Sequence, residues 1–376
     1  MRIGISGMWL SSAMGAKNSG LSRYAAALLD AMLPLAPEDA FDLFTPDDFE
    51  APEPWLRHRG FAHHPVRIRS LPARVFWEHV TAGRLARSIR ADWWFSAAQA
   101  IPFSGAVPRA VMIHDMIPLL FPEFHPKRTV LYYRWALRHS CRNAKVVFAN
   151  SEATKNDLVQ HLGADPAKIL VTPLGPGNRV EPVSPESVAF EQLAALGVRR
   201  ESYVLTLCNL DYRKNLARLV EAFAMLRDDT LGLVVVGANR GYQHAPLLKR
   251  IEELGLADRV DLLGYVPDGS LPALFAKARL FAFPSLYEGF GLPVLEAMAL
   301  GAPVVCSATS SLPEVGGEAV RTFDPTDTAS MAAAMETVLE DEALRGRMVR
   351  DGLERARVFT WKRTAETTLE AFSCRL

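Results

Sequence analysis

Residues Phe283 to Pro303 read FPSLYEGFGLPVLEAMALGAP, and their order sets the frame for the rest of the chain. An apolar run ends at Phe283, a loop carrying Gly289 and Gly291 follows, and Pro293 then stands where a helix favours proline, in its first turn. A glycine loop running into a helix N-terminus presents unpaired backbone N–H groups and the positive end of the helix dipole, a cradle for phosphate or diphosphate. Glu288 lies on the loop and Glu296 in the helix after it. A carboxylate beside a phosphate repels it, so this pair is expected to face sugar or ribose hydroxyls as acceptors. A tight turn whose carboxylate stabilises its own helix is the plainer alternative.

Outward from this stretch, short apolar runs alternate with helical patterns. Tyr203 to Leu207, Gly232 to Val236, Val260 to Leu263, Leu280 to Phe283 and Val304 to Cys306 read as buried strands, as do Ile3 to Ile5, Ala110 to Ile113 and Lys145 to Ala149 in the first half. Leu21 to Leu35, Leu216 to Leu226, Leu271 to Ala278 and Pro293 to Ala299 read as helices. Such alternation marks βαβ units and parallel sheets. Pro173 to Pro185 is dense in proline and glycine, which break both helix and strand, so the hinge between two doubly wound α/β domains is expected there. Ligands of such sheets bind at the carboxyl ends of the strands, here in a cleft between the two halves.

The 376 residues suit two domains, and 49 % hydrophobic content supplies their cores. The 42 Lys+Arg cancel the 42 Asp+Glu, which argues against a general nucleic-acid binder. No run reaches the roughly 18 apolar residues of a membrane span; Val294 to Cys306 is short and carries Glu296, Gly301 and Pro303. MRIGISGMW enters a strand without a charged and then apolar leader, and Cys141, Cys208, Cys306 and Cys374 are scattered, so reduced thiols in a cytoplasmic enzyme are expected. The loop Gly15 to Ser22 has the glycine spacing of a Walker A motif but Leu21 where the phosphate lysine belongs, so an NTPase reading fails. Neither Gly4/Gly7 nor Gly289/Gly291 completes the dinucleotide fingerprint of an oxidoreductase. A sugar-nucleotide epimerase or a non-catalytic sugar-nucleotide binder would need the same diphosphate grip and stays open.

Three further features bear on chemistry. The run Cys208 to Asn215, CNLDYRKN, puts Arg213 and Lys214 at the carboxyl end of the first strand of the second half, suited to a shared anion rather than to solvent alone. His114 ends the apolar strand VMIHD and is expected to project from the crevice edge, toward a sugar hydroxyl or the leaving phosphate; the alternative is a strand end at which His114 and Asp115 bond local backbone. Arg57 to Arg90 holds eight arginines against the single Glu78, interleaved with Phe61, Val75, Phe76 and Trp77. Such a segment could rest on an anionic membrane or hold a lipid diphosphate, or it could merely coat helices; Trp93, Trp94 and Phe95 are expected in strand core instead.

YEGFGLPVLEAMALGAPVV, with LLGYVPDGSLPALFAKARLFAFPS upstream and SSLPEVGGEAVRTFDPTD downstream, resembles the retaining GT-B glycosyltransferases of family GT4, whose E-x7-E element would be Glu288 and Glu296. The likeness covers about 160 residues and continues more weakly through SGLSRYAAALLDAML, FWEHV, VMIHDMIPLLFP and ANSEATKNDL; it is similar most of all to bacterial polysaccharide mannosyltransferases. It implies two Rossmann-like doubly wound domains facing a central cleft. Residues 1–175 would form the acceptor-side domain, 176–198 the linker and 199–359 the donor domain, with a terminal helix at about 360–376 packed back on the first. It further implies that Glu288 contacts the donor hexose, Glu296 holds the ribose, and the amides of Gly289, Phe290, Gly291 and Leu292 cradle the diphosphate. Arg213 and Lys214 would neutralise that diphosphate, Gly264, Tyr265 and Val266 would meet the base, and His114 and Gly20 would serve from the first domain. The implied donor is GDP-mannose, or else a UDP-sugar. The acceptor would be a glycan or polyprenyl-diphosphate-linked glycan, met in the cytoplasm or at the inner face of the membrane. With no D-x-D pair and cationic side chains at hand, no metal and no cofactor are expected.

Overall fold

The computed structural model describes residues 1–10, 20–105, 107–177, 181–208, 211–237 and 244–374. The chain divides into two compact units, Met1–Gly175 with Thr360–Leu376, and Pro176–Phe359.

In the first unit seven parallel strands, β1 (Arg2–Ser6), β2 (Ala40–Pro46), β3 (Phe61–Val66), β4 (Trp93–Ser96), β5 (Arg109–Ile113), β6 (Val146–Ala149) and β7 (Ile169–Val171), run in the order β3-β2-β1-β4-β5-β6-β7. Ile5 of β1 stands between Leu43 of β2 and Phe95 of β4. Helices cover both faces, which is why the central strands are continuous apolar runs. Gly4 belongs to this packing: a Cβ there would lie 2.7 Å from the Trp94 ring.

The segment read as basic surface is so for its arginines, seven of the eight being exposed, but part of it is structural. Phe61–Val66 is the edge strand, while Trp77, Glu78 and His79 are buried in a π-helical turn, Trp77–Thr81. Trp77 packs with Phe44 and Trp94, ring centroids 5.9 and 6.1 Å away, because this turn closes over the β2–β4 face; of the four interleaved apolar residues only Phe76 is strongly exposed. Trp93, Trp94 and Phe95 are fully buried in β4.

The terminal helix Trp361–Cys374 packs on the helix Gly20–Leu35 of the first unit. Thr364 Oγ1 donates to the Pro173 carbonyl (2.6 Å), the Trp93 indole N–H donates to the Phe372 carbonyl (3.0 Å), and the Phe372 ring sits among Trp93, Phe95 and Phe148.

The second unit holds six parallel strands, β8 (Tyr203–Leu207), β9 (Gly232–Val236), β10 (Val260–Gly264), β11 (Leu280–Phe283), β12 (Val304–Ser307) and β13 (Arg321–Phe323), in the order β10-β9-β8-β11-β12-β13. The helix Leu216–Ala224 buries Leu216, Leu219, Val220 and Phe223 in its core. Residues 176–198 group with this unit and carry a short helix, Phe190–Ala194, with Leu193 and Val198 buried. Both sheets reverse direction of growth once, between β1 and β4 and between β8 and β11, and such a switch point opens a ligand crevice at the carboxyl ends of the strands. No helix among the described residues is long and apolar enough to cross a membrane.

The Phe372→Ala variant is expected to lose about 3–5 kcal/mol of stability, the usual cost of deleting a buried phenyl ring, in denaturant melts followed by near-UV circular dichroism. A loss under 1 kcal/mol (on the order of a surface change) would mean that the terminal helix does not hold the first sheet.

Candidate active site

At the switch point of the second sheet two loops meet, one after β8 and one after β11. The first is a single 3-10 turn, Tyr212–Lys214, opened by Asp211, whose Oδ1 accepts from Arg213 N at 3.0 Å. Asn215 closes it in the left-handed region (φ 56°), which asparagine tolerates better than most side chains. Its Nδ2 donates to the carbonyls of Pro284 (3.1 Å) and Pro325 (2.7 Å), pinning this corner to the loops after β11 and β13. Leu286 N donates to the Arg213 carbonyl and the Arg213 guanidinium to the Tyr287 carbonyl, at 2.8 and 2.6 Å, which joins the two loops along their length.

The join is completed by one carboxylate oxygen. Glu288 Oε1 lies 2.8 Å from the Arg213 guanidinium and 2.5 Å from Lys214 Nζ, and accepts from Ser285 Oγ at 2.6 Å. From behind, Glu288 N donates to Ser310 Oγ and Ser311 Oγ donates to the Glu288 carbonyl, both at 2.9 Å. The three charged side chains are only 12–13 % exposed. Burial raises the Glu288 pKa, but the charges of Lys214 and Arg213 with the hydrogen bonds from Lys214 and Ser285 outweigh it, and the carboxyl is held below its usual range. Two cations facing one carboxylate leave a surplus positive charge in a nearly dry corner, where it acts far more strongly than in water.

Beside this cluster the helix Leu292–Ala299 begins without a side-chain cap. Its N-cap is Gly291 at φ 98°, where a Cβ would meet Leu312 Cδ2 at 2.6 Å; only glycine brings the loop so close to the helix Leu312–Gly316. Phe290 is buried with its ring 5.9 Å from Phe359, and Glu296 is buried on the same helix. Cys208, at the end of β8, has its thiol pushed up to about 12 by burial and is no nucleophile. After β10, Tyr265 is exposed and Val266 buried, while the Gly264 carbonyl accepts from Gly237 N at 2.8 Å.

Arg213, Lys214, Glu288 and the 289–292 loop are thus brought together, with Glu296 on the helix that follows. Gly20 and His114 belong to the other unit. Gly20 opens the helix Gly20–Leu35 and is exposed; residues 15–19 and 209–210 of the two loops lie outside the described residues. His114 is buried rather than projecting from the sheet edge, because Tyr24 of that helix packs edge-on against it at 4.6 Å. Its Nε2 bonds the Ala97 carbonyl at 3.0 Å, and burial pushes its pKa down to about 4 with that bond opposing. The imidazole is therefore neutral, with Nδ1 left as an acceptor. Asp115 Oδ1 accepts from Ile117 N at 3.0 Å. Sequence reading assigned no role to Asn215, Ser285, Ser310 or Ser311; their signal is only the recurrence of small polar residues just after strands.

Among the described residues no group of three or more His, Cys, Asp or Glu could hold a metal ion.

Residues 18–175 match the model for Glycosyltransferase Family 4 and residues 191–355 that for Glycosyl transferases group 1. The O-antigen chain mannosyltransferase B of Escherichia coli is 33 % identical over 69 % of this chain and 68 % of its own. The chain belongs to glycosyltransferase family 4. This glycosyltransferase also shares 28 % identity, over 69 % of its length, with the serotype-specific mannosyltransferase WbdA of Escherichia coli, of which it spans 32 %. In fold it is similar to a sucrose-phosphate synthase from Thermosynechococcus elongatus, with TM-score 0.77 and 20 % identity over 100 % of this chain and 98 % of that one. Both units therefore have the GT-B type of Rossmann-like sheet.

Because the folded Glu288 carboxyl titrates below its unfolded value, its contribution to stability is complete above the ordinary carboxylate range and is lost as pH falls through the lowered folded value. Glu288→Gln is expected to be less stable near neutrality and to show a shallower acid decline between about pH 7 and about pH 3 in denaturant titrations. Parallel profiles for the two proteins would show that the carboxylate is not held by Arg213 and Lys214.

Proposed function

We propose that this glycosyltransferase transfers mannose from GDP-mannose, with retention at the anomeric carbon, to a glycan or polyprenyl-diphosphate-linked acceptor in polysaccharide assembly. The observation that carries the reading is the surplus cation of the Arg213–Lys214–Glu288 cluster beside an uncapped helix start at a switch point. Bond cleavage at the anomeric carbon leaves charge on the diphosphate while the sugar becomes oxocarbenium-like. Lys214 and Arg213 are preorganised to meet that developing charge, together with the amides of Gly289, Phe290, Gly291 and Leu292. In this reading Glu288, already steering both cations, lies toward the hexose and Glu296 toward the ribose, while the base sits by Tyr265 and Val266. His114 Nδ1 accepts from a sugar hydroxyl, and Gly20 lines the approach. Departure and attack on one face let the leaving phosphate take the acceptor proton. Mannose is favoured by the relative named as an O-antigen chain mannosyltransferase.

The segment Arg57–Arg90 supports contact with an anionic membrane at its inner face. Arg59, Arg67, Arg84, Arg87 and Arg90 are exposed and have no acidic partner among the described residues, and Leu56, Leu71 and Phe76 are exposed around them.

Lys214→Ala leaves Glu288 its bonds to Arg213 and Ser285, so the variant is expected to fold and to lose turnover by about a hundredfold or more. Near-normal turnover in the folded variant would remove this lysine from the diphosphate. GDP is expected to raise the melting temperature more than UDP, since a ligand of the folded state stabilises by mass action; no shift with either would refute the donor site. Activity is expected to survive excess chelator, because the cluster already supplies the positive charge that a bridging metal would; a strict divalent-cation requirement would overturn that role.

A further inference from the structure

The first unit has its own cavity, of about 640 Å³, at its own switch point. Trp9, which follows β1, and residues 98–100, which follow β4, line it from the sheet; the helix Leu71–Phe76, the π-helical turn and the helix Lys127–Asn143 close the sides. Its size is that of a small-molecule pocket, and its walls are mainly apolar, with Trp9, Phe76, Phe103 and Trp135 among them.

The rings are locked before any ligand arrives. Phe103 stacks on His79 (4.7 Å, 11° between planes) and meets Trp135 edge-on at 5.1 Å. His79 is fixed by the Ile101 carbonyl at 3.0 Å and by the Tyr132 hydroxyl at 3.2 Å. Against these rings stand three polar side chains that the fold does not satisfy. Arg74 is 6 % exposed, its guanidinium lies 3.7 Å above the Trp9 ring, and its buried Nε has no hydrogen-bond partner. Glu78 is 5 % exposed and has Arg74 as an electrostatic neighbour but no hydrogen bond among the described residues. The Gln99 side chain likewise makes none. Its backbone is held at φ 49° by a bond from its N–H to Met112 O at 2.9 Å and one from Ser140 Oγ to its carbonyl at 3.0 Å.

Of these, only the Arg74 Nε is sealed from solvent without a partner; the polar atoms of Glu78 and Gln99 open on the cavity, so a ligand that displaces its water must bond all three. An isoprenoid chain would fill the apolar volume and leave every one of them unpaired. A pyranose has an apolar face of C–H groups to lie on aromatic rings and a rim of hydroxyls that both donate and accept. A guanidinium, a carboxyl and an amide match that rim. Burial pushes the Glu78 carboxyl up to about 7, with Arg74 opposing, so near neutrality it exchanges between donor and acceptor forms as a hydroxyl partner can use.

We propose that this cavity is a pyranose subsite of the glycan acceptor, with Trp9, Phe103 and Trp135 against the sugar faces and Arg74, Glu78 and Gln99 on the hydroxyls. The proposal rests on the glycosyl-transfer reading and names its acceptor as a sugar chain gripped by a sugar rather than by its lipid.

The test uses the whole protein with GDP present and two probes, α-linked mannotriose and farnesyl diphosphate, in saturation-transfer NMR. Mannotriose is expected to receive saturation on its ring protons. Trp135→Ala, which alters a half-exposed residue and should fold, is expected to weaken that binding at least tenfold and to raise the acceptor KM in proportion while leaving the GDP-induced melting shift unchanged. Arg74→Met is the companion variant, with the same expectation if it folds. Binding of farnesyl diphosphate but not of mannotriose, binding of neither, or mannotriose binding that Trp135→Ala does not weaken would each overturn the subsite. Loss of the GDP shift in the unaltered protein is a separate outcome, which would refute the donor reading instead.

Discussion

One oxygen of Glu288, paired with the Arg213 guanidinium while accepting from Lys214 and Ser285, holds the corner on which the loops of the second unit depend. The arrangement is stable for a reason that is not simple attraction. A buried ion pair returns little net stability after desolvation, but two cations on one carboxylate cannot be dismantled singly without stranding a charge. Hydrogen bonds that tie the side chains of Asn215, Ser310 and Ser311 and the Leu286 N–H to backbone groups of these loops keep them in place, so the surplus positive charge stays aimed whether or not an anion is present. Preorganisation of that kind is what electrostatic catalysis requires, since no reorganisation is left for the reaction itself.

The two units repeat one construction with different contents. Each sheet grows outward in two directions from a central pair of strands, with a cavity in the first and a charged cluster in the second where the directions part. In the second unit the loops there are short, glycine-bearing and cationic. In the first they deliver Trp9, Gln99 and Phe103, while the flanking helices add Arg74, Glu78 and Trp135. The contrast fits a division of labour in which one half grips a charged leaving group and the other grips a polyol with apolar faces.

Legibility followed burial. Tyr203–Leu207, Gly232–Val236 and Leu280–Phe283 coincide with the apolar runs because strands covered on both faces need apolar residues at every position. β3, FAHHPV, escaped because an edge strand is only half-covered, and β13, RTF, exposes two of its three residues. In Arg57–Arg90 a similar limit holds: composition shows the arginines but not that Trp77, Glu78 and His79 turn inward on a π-helical turn. His114 was expected at an edge, and strand position alone could not reveal that Tyr24, from a helix begun 94 residues earlier (Gly20 against His114), would cover it.

The local order of residues determined the class of fold and nominated the two loops, because hydrophobic periodicity and glycine placement act within a few residues of chain. It could not determine that Lys214 and Glu288, 74 residues apart, share a hydrogen bond, or that Arg74, Glu78 and Gln99 face one aromatic cavity. Those relations arise only when parallel strands bring distant loops to one edge, and charge interactions depend on distance and burial in space rather than on separation along the chain.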